Sequence, residues 1–325
     1  MKDSGKDDLF WCMLLHLGMN MWAKPFDRLL CEDDMWRQCT DRMQAGGLDM
    51  LIIDVGEGVV FPSHPELAVK GSWTPEKLNA EVRRLRAQGI EAIPKLNFST
   101  THDAWLGAYG RMVSTPGYYK VCGDVIGDLV DIFERPRFFH IGMEEENAKM
   151  GKSHDMVVIR QGELWWHDFN FLRKEVERRG VRAWCWADWA DWRDREKDYF
   201  DHMPKSVMLS NCFYGLEADF DRPFKYPSER KRLESFVRTD ERGYDQVPIG
   251  TNWTPEYYAK DENNDENIQR LARFSVKHLS KEHLKGLLMA PWTRTTREKE
   301  KKLLNSIDFM IAARKEYLAS RAKCG

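Results

Sequence analysis

Three consecutive carboxylates, Glu144, Glu145 and Glu146, close the stretch Arg137-Phe-Phe-His-Ile-Gly-Met-Glu-Glu-Glu-Asn147. The apolar run before them reads as a buried strand, and a strand end is a rigid mount. Crowded, partly buried carboxylates repel one another, which raises at least one pKa toward the range where a general acid works at neutral pH. A bare Glu-Glu-Glu reads first as a solvated acidic turn. The company it keeps along the chain turns the reading toward chemistry.

Apolar strand-like runs alternate with amphipathic helices from end to end. The runs are 11–18, 49–55, 91–97, 137–143, 181–187, 207–212, 246–250 and 284–290. Helices are expected near 33–45, from Thr74-Pro75-Glu76 to Gly89, and over 117–134, 163–179, 228–238, 267–279 and 297–317. Thr74 is an N-cap with Pro75 in the first helical position, and Gly89 suits the far end. Strand–helix units repeated eight times predict an α/β fold, a (β/α)8 TIM barrel, as one domain over residues 1–325.

In such a barrel the chemistry gathers at the carboxyl ends of the strands. Those ends carry His16, Asn20 and Trp22, then Asp54 and Glu57, then Asn97, His102, Asp103 and Trp105. Strand four delivers the glutamates; Trp186, Asp188 and Trp189 follow strand five, and Asn211 and Tyr214 strand six. Asn252 and Trp253 follow strand seven, and Trp292 and Arg294 strand eight. Carboxylates, amides and indoles together suit a sugar, whose C–H face stacks on flat aromatics while polar groups bond its hydroxyls. Glycoside hydrolysis needs a protonated carboxyl at the leaving oxygen and a group that stabilises positive charge at the anomeric carbon. Glu144 or Glu145 supplies the first; a second carboxylate or the substrate's own acetamido oxygen supplies the other.

The totals fit this class. Fifty basic against 52 acidic residues leave a net charge of −2, with no electrostatic footprint for nucleic acid. No apolar run reaches the length of a membrane span. Seven cysteines without a Cys-x-x-Cys pair argue against a zinc or dithiol site; Cys12, Cys185 and Cys212 read as small buried hydrophobes in strands. No metal and no cofactor is expected. Met1–Asp8 is polar and has no signal-peptide core, which leaves the compartment open: periplasmic or secreted if a leader was removed, cytoplasmic otherwise.

His140-Ile-Gly-Met-Glu-Glu145 resembles the His-x-Gly-Gly-Asp-Glu signature of family 20 glycoside hydrolases, the β-N-acetylhexosaminidases. Ile93-Pro94-Lys-Leu-Asn97 with His102 resembles that family's Ile-Pro-Glu-x-Asp segment and its downstream His. Val207–Ser210 with Tyr214, and Gly286 through Trp292, are similar to its later strands. The resemblance implies Glu145 as general acid/base and Glu144 as the carboxylate that orients the 2-acetamido group. It implies Tyr214 on the acetamido oxygen, Trp186, Trp253 and Trp292 as the sugar wall, and His140 and His102 holding carboxylates from behind. This sequence departs from the pattern in several places. Glu144 is one methylene longer than the family's Asp, the first strand lacks the family's Arg, and Lys95 and Asn97 stand where acids are usual. Arg294 follows Trp292 where an acid would bind a hydroxyl, which together with Lys95 points to a negatively charged sugar.

Other readings stay open at this level. His16 reads as a core histidine or a sugar contact, Asp54 and Glu57 as turn residues or catalytic ones. Asp191 and Asp194 read as caps, Trp165 and Trp166 as packing. Strand alternation would turn Glu144 and Glu146 together away from Glu145, and a one-residue shift would make Glu146 the acid. The expected function is an exo-acting hydrolase of a β-linked hexosaminide or a related modified or charged sugar. The alternatives are a hydrolase pairing Glu145 with Asp188, Asp54 or Glu57, and a carbohydrate-binding barrel without catalysis.

Overall fold

The computed structural model describes residues 9–22, 24–187, 196–256, 258–259 and 262–324. Strands and helices follow in the order β1 Phe10–His16, α1 Asp33–Ala45, β2 Met50–Asp54, α2 Pro75–Ala87, β3 Glu91–Lys95, α3 Pro116–Ile132, β4 Phe138–His140, α4 Ala148–Gly151, α5 Gly162–Glu177, β5 Arg182–Trp186, α6 Glu196–His202, β6 Met208–Ser210, α7 Pro227–Glu241, β7 Ile249–Gly250, α8 Asn267–His278, β8 Gly286–Met289 and α9 Glu300–Cys324. All strand pairs are parallel, in the order β6-β5-β4-β3-β2-β1-β8-β7. The β6–β7 seam is closed by the N–H groups of Val247 and Ile249, which donate to the carbonyls of Leu209 (2.8 Å) and Asn211 (3.0 Å). The fold is the expected (β/α)8 barrel.

Local chemistry accounts for the elements and for the differences. Thr74 caps α2 by accepting the Lys77 N–H, and Thr115 caps α3 by accepting that of Tyr118; a proline follows each. β7 is two residues rather than five because Pro248 has no N–H to give a ladder. β4 ends at His140 rather than Met143, because Gly142 and Met143 take φ of 70° and 73°. The short helix α6 has no expected counterpart in the sequence reading.

Alternate strand residues fill the barrel interior, among them Cys12, Leu14, Met50, Ile52, Ile93, Phe138, Trp184, Met208, Ile249 and Leu288. The opposite faces pack against the helices, where Trp165 and Trp166 are buried, as expected. At the C-terminal end the interior changes character. His16, Asp54, Lys95 and His140 are register partners across β1 to β4, and all are buried.

Candidate active site

A cavity of about 330 Å³ opens above that buried polar row. It is lined by Met21, Trp22, Lys95, Asn97, His102, Glu144, Glu145, Trp186, Cys212, Tyr214, Arg232, Trp253 and Trp292. Seven of the candidate residues therefore meet in one place: Glu144, Glu145, His102, Trp186, Tyr214, Trp253 and Trp292.

The glutamates reach it on a turn. Positive φ at Gly142, Met143 and Glu145 (58°) breaks strand alternation, so Glu144 and Glu145 face the cavity together while Glu146 turns back into the protein. Glu146 is no candidate acid: its side chain is 3% exposed and grips the buried Arg160, with Nε–Oε2 at 3.0 Å, and accepts the Thr100 N–H at 3.0 Å. Left-handed backbone costs a residue with a Cβ about 1–2 kcal/mol. Side chains of the β3 loop hold the turn in that form: Ser99 Oγ donates to the Glu144 carbonyl and Thr101 Oγ1 to the Glu145 carbonyl at 3.1 Å.

Asn97 fixes Glu144. Its Nδ2–H donates to Glu144 Oε1 at 2.6 Å, while its Oδ1 accepts the N–H of Ser99 (3.1 Å) and of Met143 (3.4 Å), which sets the amide's orientation. A Cβ on residue 142 would lie 2.2 Å from that Oδ1, so this approach requires Gly142.

His102 stands behind Glu145, with Nε2 3.5 Å from Oε2. Its Nδ1 lies 3.0 Å from Thr101 Oγ1, which also reaches Ser99 Oγ at 3.0 Å and the Glu145 carbonyl at 3.1 Å. Burial, helped by the nearby Lys95 charge, lowers the His102 pKa to about 3, so the ring is neutral. Burial pushes Asp54 up, but Lys95 Nζ at 2.7 Å and His16 Nδ1 at 3.1 Å outweigh it and hold that carboxyl at about 2.

Both shifts make acid destabilising. The unfolded chain takes up a His102 proton near 6.5 that the folded ring refuses until about 3, so stability falls as pH drops through that window. Asp54 adds a loss between its ordinary 3.8 and about 2. Urea unfolding at about pH 7.5 and about pH 4.5 checks this. Wild type is expected to lose midpoint on acidification, and His102→Gln to lose clearly less.

Tyr214 lines the same cavity. Its hydroxyl accepts from Trp292 Nε1 at 3.0 Å, and burial raises its pKa well above the usual value, so it keeps its proton as a donor. Trp186 and Trp292 meet edge to face at 5.8 Å, as do Tyr214 and Trp253 at 6.0 Å.

Several expected contacts lie elsewhere. His16, Asp54 and His140 belong to the row beneath the cavity; His140 Nδ1 accepts the Gly142 N–H at 3.1 Å and, among the described residues, holds no carboxylate. Asn211 points to Thr239 on α7, and Asn252 donates to the Lys302 carbonyl on α9. Glu57 is a buried clamp on the N–H groups of Met19 and Asn20. Arg294 lies against Phe26, outside the cavity lining. Asp188, Trp189, Asp191 and Asp194 fall outside the described residues. Cys212 is half-buried at the cavity wall and no core residue. Trp22, expected at the end of the first strand, lines the wall as well, as do Met21 and Arg232, which no motif singled out. Among the described residues no cluster of His, Cys, Asp and Glu could hold a metal ion, and no helix is long and apolar enough to cross a membrane.

No protein-family model and no curated protein matches the chain. Solved structures do. A GH20 exo β-N-acetylglucosaminidase from Vibrio harveyi, in complex with N-acetylglucosamine, matches with a TM-score of 0.64 at 11% identity, over 94% of this chain and 54% of its own. A GH20 β-N-acetylhexosaminidase from Streptomyces coelicolor A3(2) matches at 0.61 and 14%, over 92% and 64%. A β-N-acetylhexosaminidase from Bacteroides fragilis NCTC 9343 matches at 0.62 and 13%, over 93% and 65%. The chain spans between about half and two thirds of the length of these proteins. At such identities the likeness is one of fold: the chain is built on the barrel that these hexosaminidases share.

Proposed function

We propose that the protein is a glycoside hydrolase, exo-acting on a β-linked hexosaminide or a related modified or charged sugar. Glu145 is the general acid/base, and Glu144 orients and polarises the substrate's 2-acetamido group. One observation carries the reading: two adjacent glutamates share a cavity wall, one held by an amide and the other accessible. Glu144 accepts Asn97 Nδ2–H at 2.6 Å, which fixes its direction at the wall. Glu145 is 42% exposed, with His102 Nε2 3.5 Å from its Oε2. A carboxylate held by an amide suits the orienting role, and an accessible one at the cavity wall suits proton transfer.

In the reaction the acetamido oxygen attacks the anomeric carbon as Glu145 gives its proton to the departing glycosidic oxygen. Glu144 accepts the acetamido N–H, and Tyr214 O–H donates to the acetamido oxygen. Water then opens the oxazoline-like ring, Glu145 takes the water's proton, and the configuration is retained. Trp186, Trp253 and Trp292 form apolar walls for the sugar. A cavity floored by a buried polar row favours a chain end over a chain interior.

The rival pairing of Glu145 with Asp54 or Glu57 is disfavoured. Lys95 and His16 already engage Asp54, and backbone N–H groups engage Glu57. A thiazoline mimic of the oxazoline separates the routes. It is expected to inhibit hydrolysis of an aryl β-N-acetylhexosaminide tightly. Turnover of aryl glycosides without the 2-acetamido group, insensitive to the thiazoline, would transfer the mechanism to a second carboxylate.

A further inference from the structure

We propose that the mouth of the cavity is a second saccharide subsite, in which the indoles of Trp22 and Trp253 seat the sugar on the leaving-group side. The substrate is then an oligosaccharide rather than a glycoside of a small aglycone. The proposal deepens the glycosidase reading and rests on it. Four tryptophans line the cavity, and burial divides them. Trp186 is buried and packs, with Trp292, on the barrel interior. Trp22 is 42% exposed and Trp253 is 38% exposed, and no other tryptophan among the described residues is exposed. Exposed indoles on a cavity wall are stacking surface for the C–H face of a sugar. The glutamates set the direction. Glu144 Oε2 is buried, whereas Glu145 reaches solvent. The glycone therefore lies inward at Glu144, and the leaving oxygen at Glu145 sends the aglycone out through the mouth.

The barrel order brings the two indoles to one sector. β1 and β7 are the neighbours of β8, so the loops that carry Trp22 and Trp253 flank the one that carries Trp292. Tyr214 joins that sector to the acid: it lies near enough to feel the Glu145 charge, and its ring meets Trp253 at 6.0 Å. Both platforms are held before any ligand arrives. The buried Asn264 donates through Nδ2 to the carbonyls of Tyr214 and Trp253, each at 2.8 Å, and so ties the loops after β6 and β7 together. The Trp253 N–H donates to Thr251 Oγ1 at 2.9 Å, and Tyr258 O–H adds a bond to the Tyr214 carbonyl at 2.9 Å. Trp22 follows Met19, Asn20 and Met21, all buried, and Glu57 clamps that run by accepting the N–H groups of Met19 (2.7 Å) and Asn20 (2.9 Å). Burial stops at Trp22, where the wall opens to solvent. Platforms fixed in this way lose little freedom when a sugar stacks on them.

Titration calorimetry on Glu145→Gln tests this, because that variant is expected to bind saccharides without cleaving them. The ligands are the methyl β-glycosides of N-acetylglucosamine and of its β-linked homodisaccharides, which share the inner sugar and differ by one sugar at the mouth. At least one disaccharide is expected to bind about tenfold or more tighter than the monosaccharide. Adding Trp22→Ala or Trp253→Ala to that background should cut the ratio of disaccharide to monosaccharide affinity about threefold or more. Both rings are exposed, so neither truncation opens the core. Equal affinity for the monosaccharide and every disaccharide, or an advantage that either truncation leaves intact, overturns the mouth subsite alone. No binding of any of these ligands overturns the glycosidase reading with it.

Discussion

Glu145→Gln is expected to lower kcat on an aryl β-N-acetylhexosaminide about 10²–10⁴-fold, the usual worth of a positioned general acid. Saccharide affinity should stay within a few-fold, because the substitution keeps shape and removes only the transferable proton. The side chain is 42% exposed, so the loss cannot be assigned to a damaged core. Its backbone is held through the carbonyl, by Thr101 Oγ1 and by the Asn147 N–H at 2.8 Å, and neither contact involves the carboxyl. Kinetics and calorimetry on the same preparation check both halves. A variant within tenfold of wild type would remove Glu145 from the chemistry.

The largest effect on stability is expected at Arg160, a residue that meets no substrate. It is 2% exposed and joins Glu146 to Asp168 (Nη1–Oδ2 3.0 Å), with Nη2 donating to the Phe98 carbonyl at 2.7 Å. Asp168 in turn accepts from Ser114 Oγ at 2.6 Å and from Tyr119 O–H at 2.5 Å. Arg160→Met keeps the bulk of the stem but strands two buried carboxyls. Removing one partner of a buried pair costs about 3–5 kcal/mol, a large part of a domain's net stability. Urea unfolding should show that loss, and activity should fall too, because Glu146 anchors the turn that presents Glu144 and Glu145. A loss under about 1 kcal/mol would mean that water replaces the guanidinium.

The barrel was legible because strand and helix periods repeat along the chain and because Thr74-Pro75 announces its helix in the residues themselves. The site was legible in part, and the errors have a physical pattern. On β6 the interior residues are Met208 and Ser210, and two-residue alternation carries that face through Cys212 to Tyr214 at the cavity. Asn211 must then face α7, as it does. The same parity on β7 separates Trp253 from Asn252. Applied strictly, alternation would have removed both asparagines and added Cys212. It fails at the glutamates, where positive φ at Met143 and Glu145, neither of them glycine, places neighbouring side chains on one wall. No local propensity predicts that turn, because residues of the β3 loop and Arg160 hold it from a distance. Arg232 enters from a helix, and strand ends give no sign of it.

The most direct measurement is the dependence of the Glu145→Gln defect on the leaving group. A general acid matters in proportion to how badly the departing oxygen needs a proton. The variant is predicted to approach wild-type rates on a dinitrophenyl β-N-acetylhexosaminide, whose aglycone leaves as a stable anion. It should fall furthest behind on an alkyl or sugar aglycone. A defect of the same size across the whole series would contradict proton donation by Glu145 and the mechanism built on it.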